Sequence, residues 1–81
     1  MKGRVFVFLK EGVFDPQGNT VALSLKQLGF KKVKDVRIGK VIDVDLEASS
    51  KDEAKVELHK MCDKLLANPV IESYKYEVTG E

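Results

Sequence analysis

The sequence is poor in most of what marks a specialised chain. It has one cysteine, one histidine, two prolines and no tryptophan in 81 residues. A single cysteine excludes an internal disulfide, and Cys62 with His59 falls short of the four ligands of a structural zinc site. Charge of one sign is missing too: 14 basic residues against 13 acidic leave a formal +1. A nucleic-acid-binding domain of this size is usually basic on one face, whereas here acids and bases are mixed along the chain, so no nucleic-acid partner is expected. No apolar run approaches the roughly 18 residues of a membrane span. The stretch from Val5 to Leu9 is too short for a signal-peptide core, and no small-residue cleavage site follows it. There is no low-complexity tract, no linker and no clear repeat. These absences point to one cytoplasmic domain over residues 1–81, away from membranes.

A chain this short buries only about 60–65% of its unfolded surface. Such domains usually need a disulfide, a metal or an oligomer. With the first two excluded by composition, self-association is the expected support, as a dimer or tetramer.

What is present is an orderly alternation of strand-like and helix-like periods. Arg4–Lys10 is apolar at every position from Val5 to Leu9, a strand with both faces covered. Asp15 and Pro16 are a helix cap and first helical residue, Val21, Leu25 and Leu28 recur at helical spacing, and Gly29 is a left-handed stop. Residues 33–38 and 41–47 read as two strands joined at Gly39-Lys40. In the second, Ile42, Val44 and Leu46 alternate with Asp43, Asp45 and Glu47. Ser50 and Glu53 form a capping box for a second helix. That helix carries Ala54, Leu58, Met61, Cys62 and Leu65 on one stripe and ends near Asn68-Pro69. Residues 71–78 close the chain as a strand with Tyr74, Tyr76 and Val78 on one face. The order β-α-β-β-α-β predicts an α+β fold of two layers. Its antiparallel four-stranded sheet would carry two helices on one face, in a ferredoxin-like or closely related arrangement.

Helices on one side leave the other side of the sheet open. Phe6 and Phe8 point one way from the first strand, and Val5 and Val7 point the other. One of these pairs is therefore the expected oligomer interface, unless neighbouring side chains cover it.

Catalytic chemistry is hard to place. His59 has no serine or cysteine partner at a recognisable spacing and reads as a solvent-facing residue. Cys62 falls on the apolar stripe, where it reads as a small buried hydrophobe. The carboxylates Asp43, Asp45 and Glu47 read as a solvated face rather than a cation site. Arg37-Ile38-Gly39-Lys40 lacks the first glycine and the Ser/Thr of a phosphate loop. Arg37 and Lys40 at a turn would either meet an anion or a partner's carboxylate or form a plain solvated hairpin.

Three segments together resemble a known family. Leu9-Lys10-Glu11-Gly12-Val13-Phe14-Asp15-Pro16-Gln17-Gly18 is similar to its LKxxVLDPQG opening. Val36-Arg37-Ile38-Gly39-Lys40 is similar to its VRIGK segment. The run from Met61 to Tyr74 is similar to its CxKLLANxVIExY tail. The family is PurS, the small subunit of phosphoribosylformylglycinamidine synthase in purine biosynthesis. The resemblance implies an assembly role with no catalytic residue, cofactor or metal in this chain. ATP and magnesium would be used by a synthetase subunit and glutamine by a glutaminase subunit, with this subunit bridging the two and supporting ammonia transfer. It marks Asp15, Pro16, Gly18, Arg37, Gly39 and Lys40 as candidate partner contacts, although starting a helix and making a turn would also account for several of them. On architecture alone, a free-standing regulatory ligand-binding domain is the alternative.

Overall fold

The computed structural model describes residues 1–79. Its elements are strand β1 (Lys2–Leu9), helix α1 (Pro16–Gln27), strand β2 (Gly39–Asp45), helix α2 (Lys51–Met61) and strand β3 (Glu72–Thr79). A π-helical turn over Cys62–Leu66 extends α2. β1 is the central strand of a three-stranded sheet in the order β2-β1-β3, antiparallel to both neighbours. The α+β class and the antiparallel sheet agree with the sequence pattern.

The first helix of the pattern starts where its cap places it. The Asp15 carboxylate accepts the Gly18 N–H at 2.8 Å and Pro16 opens the helix. At the second helix, Ser50 Oγ accepts the Glu53 N–H at 3.1 Å. The Glu53 carboxylate reaches back one residue further than a simple capping box, to the N–H and hydroxyl of Ser49.

The core lies between α2 and one face of the sheet. Val5, Val7, Leu58 and Cys62 are its largest fully buried side chains. Ile42, Val44, Met61, Tyr74, Tyr76 and Val78 pack around them. Gly3 lets Leu58 pack down on the strand here, because a Cβ at that position would lie 2.4 Å from a Leu58 methyl and the leucine would have to shift. The strand alternation of Ile42, Val44 and Leu46 with Asp43, Asp45 and Glu47 is reproduced as half-buried against exposed.

Three expectations need correction. Among the described residues the sheet has three strands, not four: residues 33–38 form no strand, and Gly39-Lys40 begins β2 instead of turning a hairpin. The cause is a tertiary contact, since the Ile38 N–H is taken by the carboxylate of Asp15, 23 positions earlier, at 2.7 Å, leaving it unavailable to a ladder. Next, among the described residues only α2 covers the sheet, while α1 makes at most marginal contact with it. The radius of gyration, 16.2 Å, exceeds the roughly 12 Å of a compact chain of this length. Leu28 is therefore 75% exposed instead of buried. Finally, Leu65 leaves the apolar stripe and is 83% exposed. The π turn adds a residue to the helical repeat, so Leu65 rotates outward while Cys62 and Ala67 remain inside.

Among the described residues nothing covers the opposite face of the sheet. Cross-strand register divides it into two halves. At one end Arg4 sits between Asp43 and Glu77, and Lys2 between Asp45 and Thr79. Toward the other end Phe6 sits between Val41 and Lys75, and Phe8 between Gly39 and Ser73. Arg4 grips Asp43 with two hydrogen bonds, Nε at 2.7 Å and Nη2 at 3.2 Å.

Candidate functional site

The three motifs of the sequence, far apart in the chain, meet at one end of the sheet. Asp15 joins the first motif to the second. One carboxylate oxygen caps Gly18 at the start of α1, and the other accepts the Ile38 N–H. Asp15 is 6% exposed. Those backbone donors hold its pKa below the usual carboxylate range, the Ile38 bond most strongly, with a smaller contribution from the Arg37 charge. It is an anion fixed in place by N–H groups, suited to holding a structure together rather than to proton transfer.

Gly18 makes the same junction possible by lacking a side chain. A Cβ there would fall 2.1 Å from the Val36 carbonyl oxygen and 2.8 Å from the Asp15 carboxylate. The aspartate and the glycine three residues later therefore act as one device. The first binds the 36–38 backbone, and the second lets it approach the helix.

Lys10 joins the remaining pieces. Its carbonyl accepts from Arg37 Nη2 at 3.2 Å and from the Val13 N–H at 3.1 Å. Its N–H donates to the Ile71 carbonyl at 2.8 Å and its ammonium to the Pro69 carbonyl at 2.7 Å. In the third motif Asn68 and Glu72 build the turn before β3. The Glu72 carboxylate accepts the Asn68 N–H at 2.7 Å, and Asn68 Oδ1 accepts the Val70 N–H at 3.0 Å. Beside this junction lies an open cleft of about 250 Å³ bordered by Phe8, Asp15, Gln17, Gly39, Lys40 and Glu72.

Of the candidate contact residues, Asp15 and Gly18 are buried in the junction, while Pro16, Arg37, Gly39 and Lys40 are exposed around it. Of the two candidate interface pairs, Val5 and Val7 lie in the subunit's own core. Phe6 and Phe8 lie on the open face, Phe6 half-buried and Phe8 39% exposed. Lys10 and Glu72 were not singled out by sequence reasoning. Their signal was membership of two of the motifs, Lys10 in the opening one and Glu72 in the last.

The titratable groups near α2 are tied to each other. The Tyr74 hydroxyl donates to Asp63 Oδ1 at 2.9 Å and is 3.0 Å from His59 Nδ1, while His59 Nε2 is 3.3 Å from Asp63 Oδ2. Burial, followed by the Asp63 hydrogen bond, pushes the Tyr74 phenol up to about 12. The cluster pins β3 to the π turn. Cys62 is buried, and burial pushes its thiol up, which disfavours the nucleophilic thiolate. Among the described residues no three His, Cys, Asp or Glu side chains gather to hold a metal ion. No helix there is long and apolar enough to cross a membrane.

Comparison with known proteins places this geometry in context. Residues 2–80 match the family model described as PurS, phosphoribosylformylglycinamidine (FGAM) synthase. The chain is 53% identical over 70 residues to the phosphoribosylformylglycinamidine synthase subunit PurS of Archaeoglobus fulgidus, covering 86% of this chain and 88% of the relative. The crystal structure of Methanocaldococcus jannaschii PurS superposes with a TM-score of 0.87 at 44% identity, over 96% of this chain and 94% of that one. A chain of the PurLQS structure from Thermotoga maritima superposes with a TM-score of 0.85 at 36% identity, over 94% and 93%.

Proposed function

The chain belongs to the PurS family of phosphoribosylformylglycinamidine synthase subunits, and from that membership we propose that it is the assembly subunit of this synthase, joining the synthetase subunit to the glutaminase subunit. The carrying observation is the junction itself. The residues shared with the family motifs are spent on fixing three chain segments against one another, and those left exposed around the junction, Arg37, Lys40 and Pro16, form a surface. A rigid surface without a nucleophile–base pair suits docking rather than turnover. In the assembled enzyme the synthetase subunit would bind ATP and magnesium and the glutaminase subunit would release ammonia from glutamine. Holding the two together would shield ammonia from solvent on its way to the ligation site.

Self-association belongs to the same reading. Phe6, Phe8 and Val41 form the apolar half of a sheet face that no described residue covers, and among the described residues the outer edge of β2 has no strand beside it. A second copy of the chain would cover this face, with Phe6 and Phe8 as its anchors. The working compartment is the cytoplasm.

The test is reconstitution of the synthase from its separate subunits. Glutamine-dependent formation of formylglycinamidine ribonucleotide should require this chain, whereas activity driven by added ammonia should depend on it much less. The chain alone should show neither ATPase nor glutaminase turnover. Glutamine-dependent activity that is unchanged when the chain is omitted would reject the assembly role. A stable monomer in sedimentation at micromolar concentration would reject self-association.

A further inference from the structure

Helix α1 has the composition of a covered helix, yet the subunit leaves it open. Lys26 is the one charged residue among its 12, whereas six of the 11 residues of α2 are aspartate, glutamate or lysine. A helix with water on most sides is usually polar and charged there. α1 instead exposes Val21, Leu23 and Leu28, at 37%, 52% and 75%. Val21 and Leu28, two turns apart, stand on one face of it. Neither α2 nor the sheet gives α1 more than marginal contact. The helix is held in this pose at its base, by the Asp15 bonds to the Gly18 and Ile38 N–H groups.

The place that α1 would take beside α2 in a two-layer fold is vacant among the described residues. α2 lies over β3 and β1, and between it and Val44 of β2 runs an open groove of about 510 Å³. Val44, Met61, Leu65 and Leu66 line the groove, and Glu57, Lys60 and Lys64 rim it. Three of the apolar residues, Val44, Met61 and Leu66, pack against the core. Leu65, turned outward by the π turn, is 83% exposed. The surface area reflects both openings. The subunit exposes 6088 Å², and a compact monomer of 9.1 kDa exposes roughly 4,900 Å². The surplus of about 1,200 Å² exceeds the roughly 800 Å² that each partner buries in a stable interface.

We infer that α1 of a second copy of the chain fills this groove, and that the exchange is reciprocal. Each copy then supplies the helix that the other lacks. The face of Val21 and Leu28 seats against Val44, Met61, Leu65 and Leu66, and the paired contacts close as a symmetric dimer. The inference rests on the self-association reading. It adds a contact on the side of the sheet opposite Phe6 and Phe8. Fit in kind commits the groove to this occupant. An apolar groove takes a nearly uncharged helix, and α1 is one. At the rim Glu57 has the sign opposite to Lys26, and α1 brings no carboxylate of its own.

The experiment uses Leu28→Lys and Leu65→Glu, both at positions exposed in the single subunit, so circular dichroism should show the parent's fold in each. Sedimentation equilibrium is run on the parent, on each variant alone and on their equal mixture. Each variant alone damages both contacts of the pair by placing a charge in an apolar groove. It should lose an association step of the parent, or weaken it roughly tenfold or more. The mixture should behave differently. A pair with one copy of each variant keeps one contact in parent form and sets opposite charges against each other in the other. Mixing should therefore restore association to within a few-fold of the parent. Variants that each associate like the parent would overturn the inference and leave self-association to the Phe6 and Phe8 face. Weakened association that mixing does not restore would also overturn it, because the two positions then do not face each other. A parent chain that is itself monomeric would bring down the self-association reading, and this inference with it.

Discussion

Replacing Gly18 with alanine tests the junction through the sign of the effect. Gly18 is the third residue of α1. In an ordinary helical position the change from glycine to alanine stabilises by about 0.5–1 kcal/mol, because alanine loses less backbone entropy on folding. Here the new methyl would lie 2.1 Å from the Val36 carbonyl oxygen, a backbone atom, and 2.8 Å from the Asp15 carboxylate. Neither can yield cheaply, since Val36 is held by the Ile38–Asp15 bond two residues on and Asp15 is bound on both oxygens. Overpacking of this kind costs about 1–3 kcal/mol. The net expectation is a loss of about 1–2 kcal/mol. For a domain of this length each kcal/mol moves the melting point by about 4–8 °C, so Gly18→Ala should melt roughly 4–16 °C lower. The assay is thermal unfolding by circular dichroism at matched protein concentration, since self-association makes melting concentration-dependent. A variant that melts at or above the parent would refute the close approach of α1 to residues 36–38.

Two further outcomes follow from the same junction. Asp15 has a lowered pKa in the folded chain, so its contribution to stability is complete above its unfolded value of 3.8 and is lost as pH falls through the lower folded value. The stability gap between parent and Asp15→Asn, measured by urea unfolding, should be widest near neutral pH and narrow below pH 3.8; a gap independent of pH would remove the aspartate's charge from the explanation. Arg37 is exposed and gives one hydrogen bond, to the Lys10 carbonyl, so Arg37→Ala should alter stability by no more than about 1 kcal/mol. It should weaken assembly with the larger subunits by roughly 1–3 kcal/mol, with Arg37→Lys recovering only part, because lysine keeps the charge and loses the planar fork. The readout is glutamine-dependent activity titrated with variant subunit, and a titration identical to the parent would reduce Arg37 to a surface arginine.

Local chemistry was legible in the sequence wherever a few neighbouring residues decide the outcome. Asp15-Pro16 and Ser50–Glu53 begin helices because their side chains reach N–H groups two or three residues away. Gly29 ends α1 for a similarly local reason, the left-handed backbone it adopts. The alternation along β2 and the burial of Ala54, Leu58 and Cys62 likewise follow from periodicity. The three motifs that resemble PurS were visible as strings, and they named the family.

Tertiary structure decided what lies between these signals. Residues 33–38 have the composition of a strand, yet a carboxylate 23 positions away takes the Ile38 donor that a ladder would need. The apolar repeat of α1 looked like a core face, but among the described residues α2 occupies the covered side of the sheet and α1 meets it at most marginally. Leu65 fits a 3.6-residue stripe until the π turn shifts the phase. The two faces of β1 are almost equally apolar in sequence, and only the packing of Leu58 against Gly3, Val5 and Val7 made one of them the core and left Phe6 and Phe8 open. Periodicity reports which residues can share a face. Which face is covered, and by what, depends on contacts between segments distant in the chain, and no local pattern encodes them.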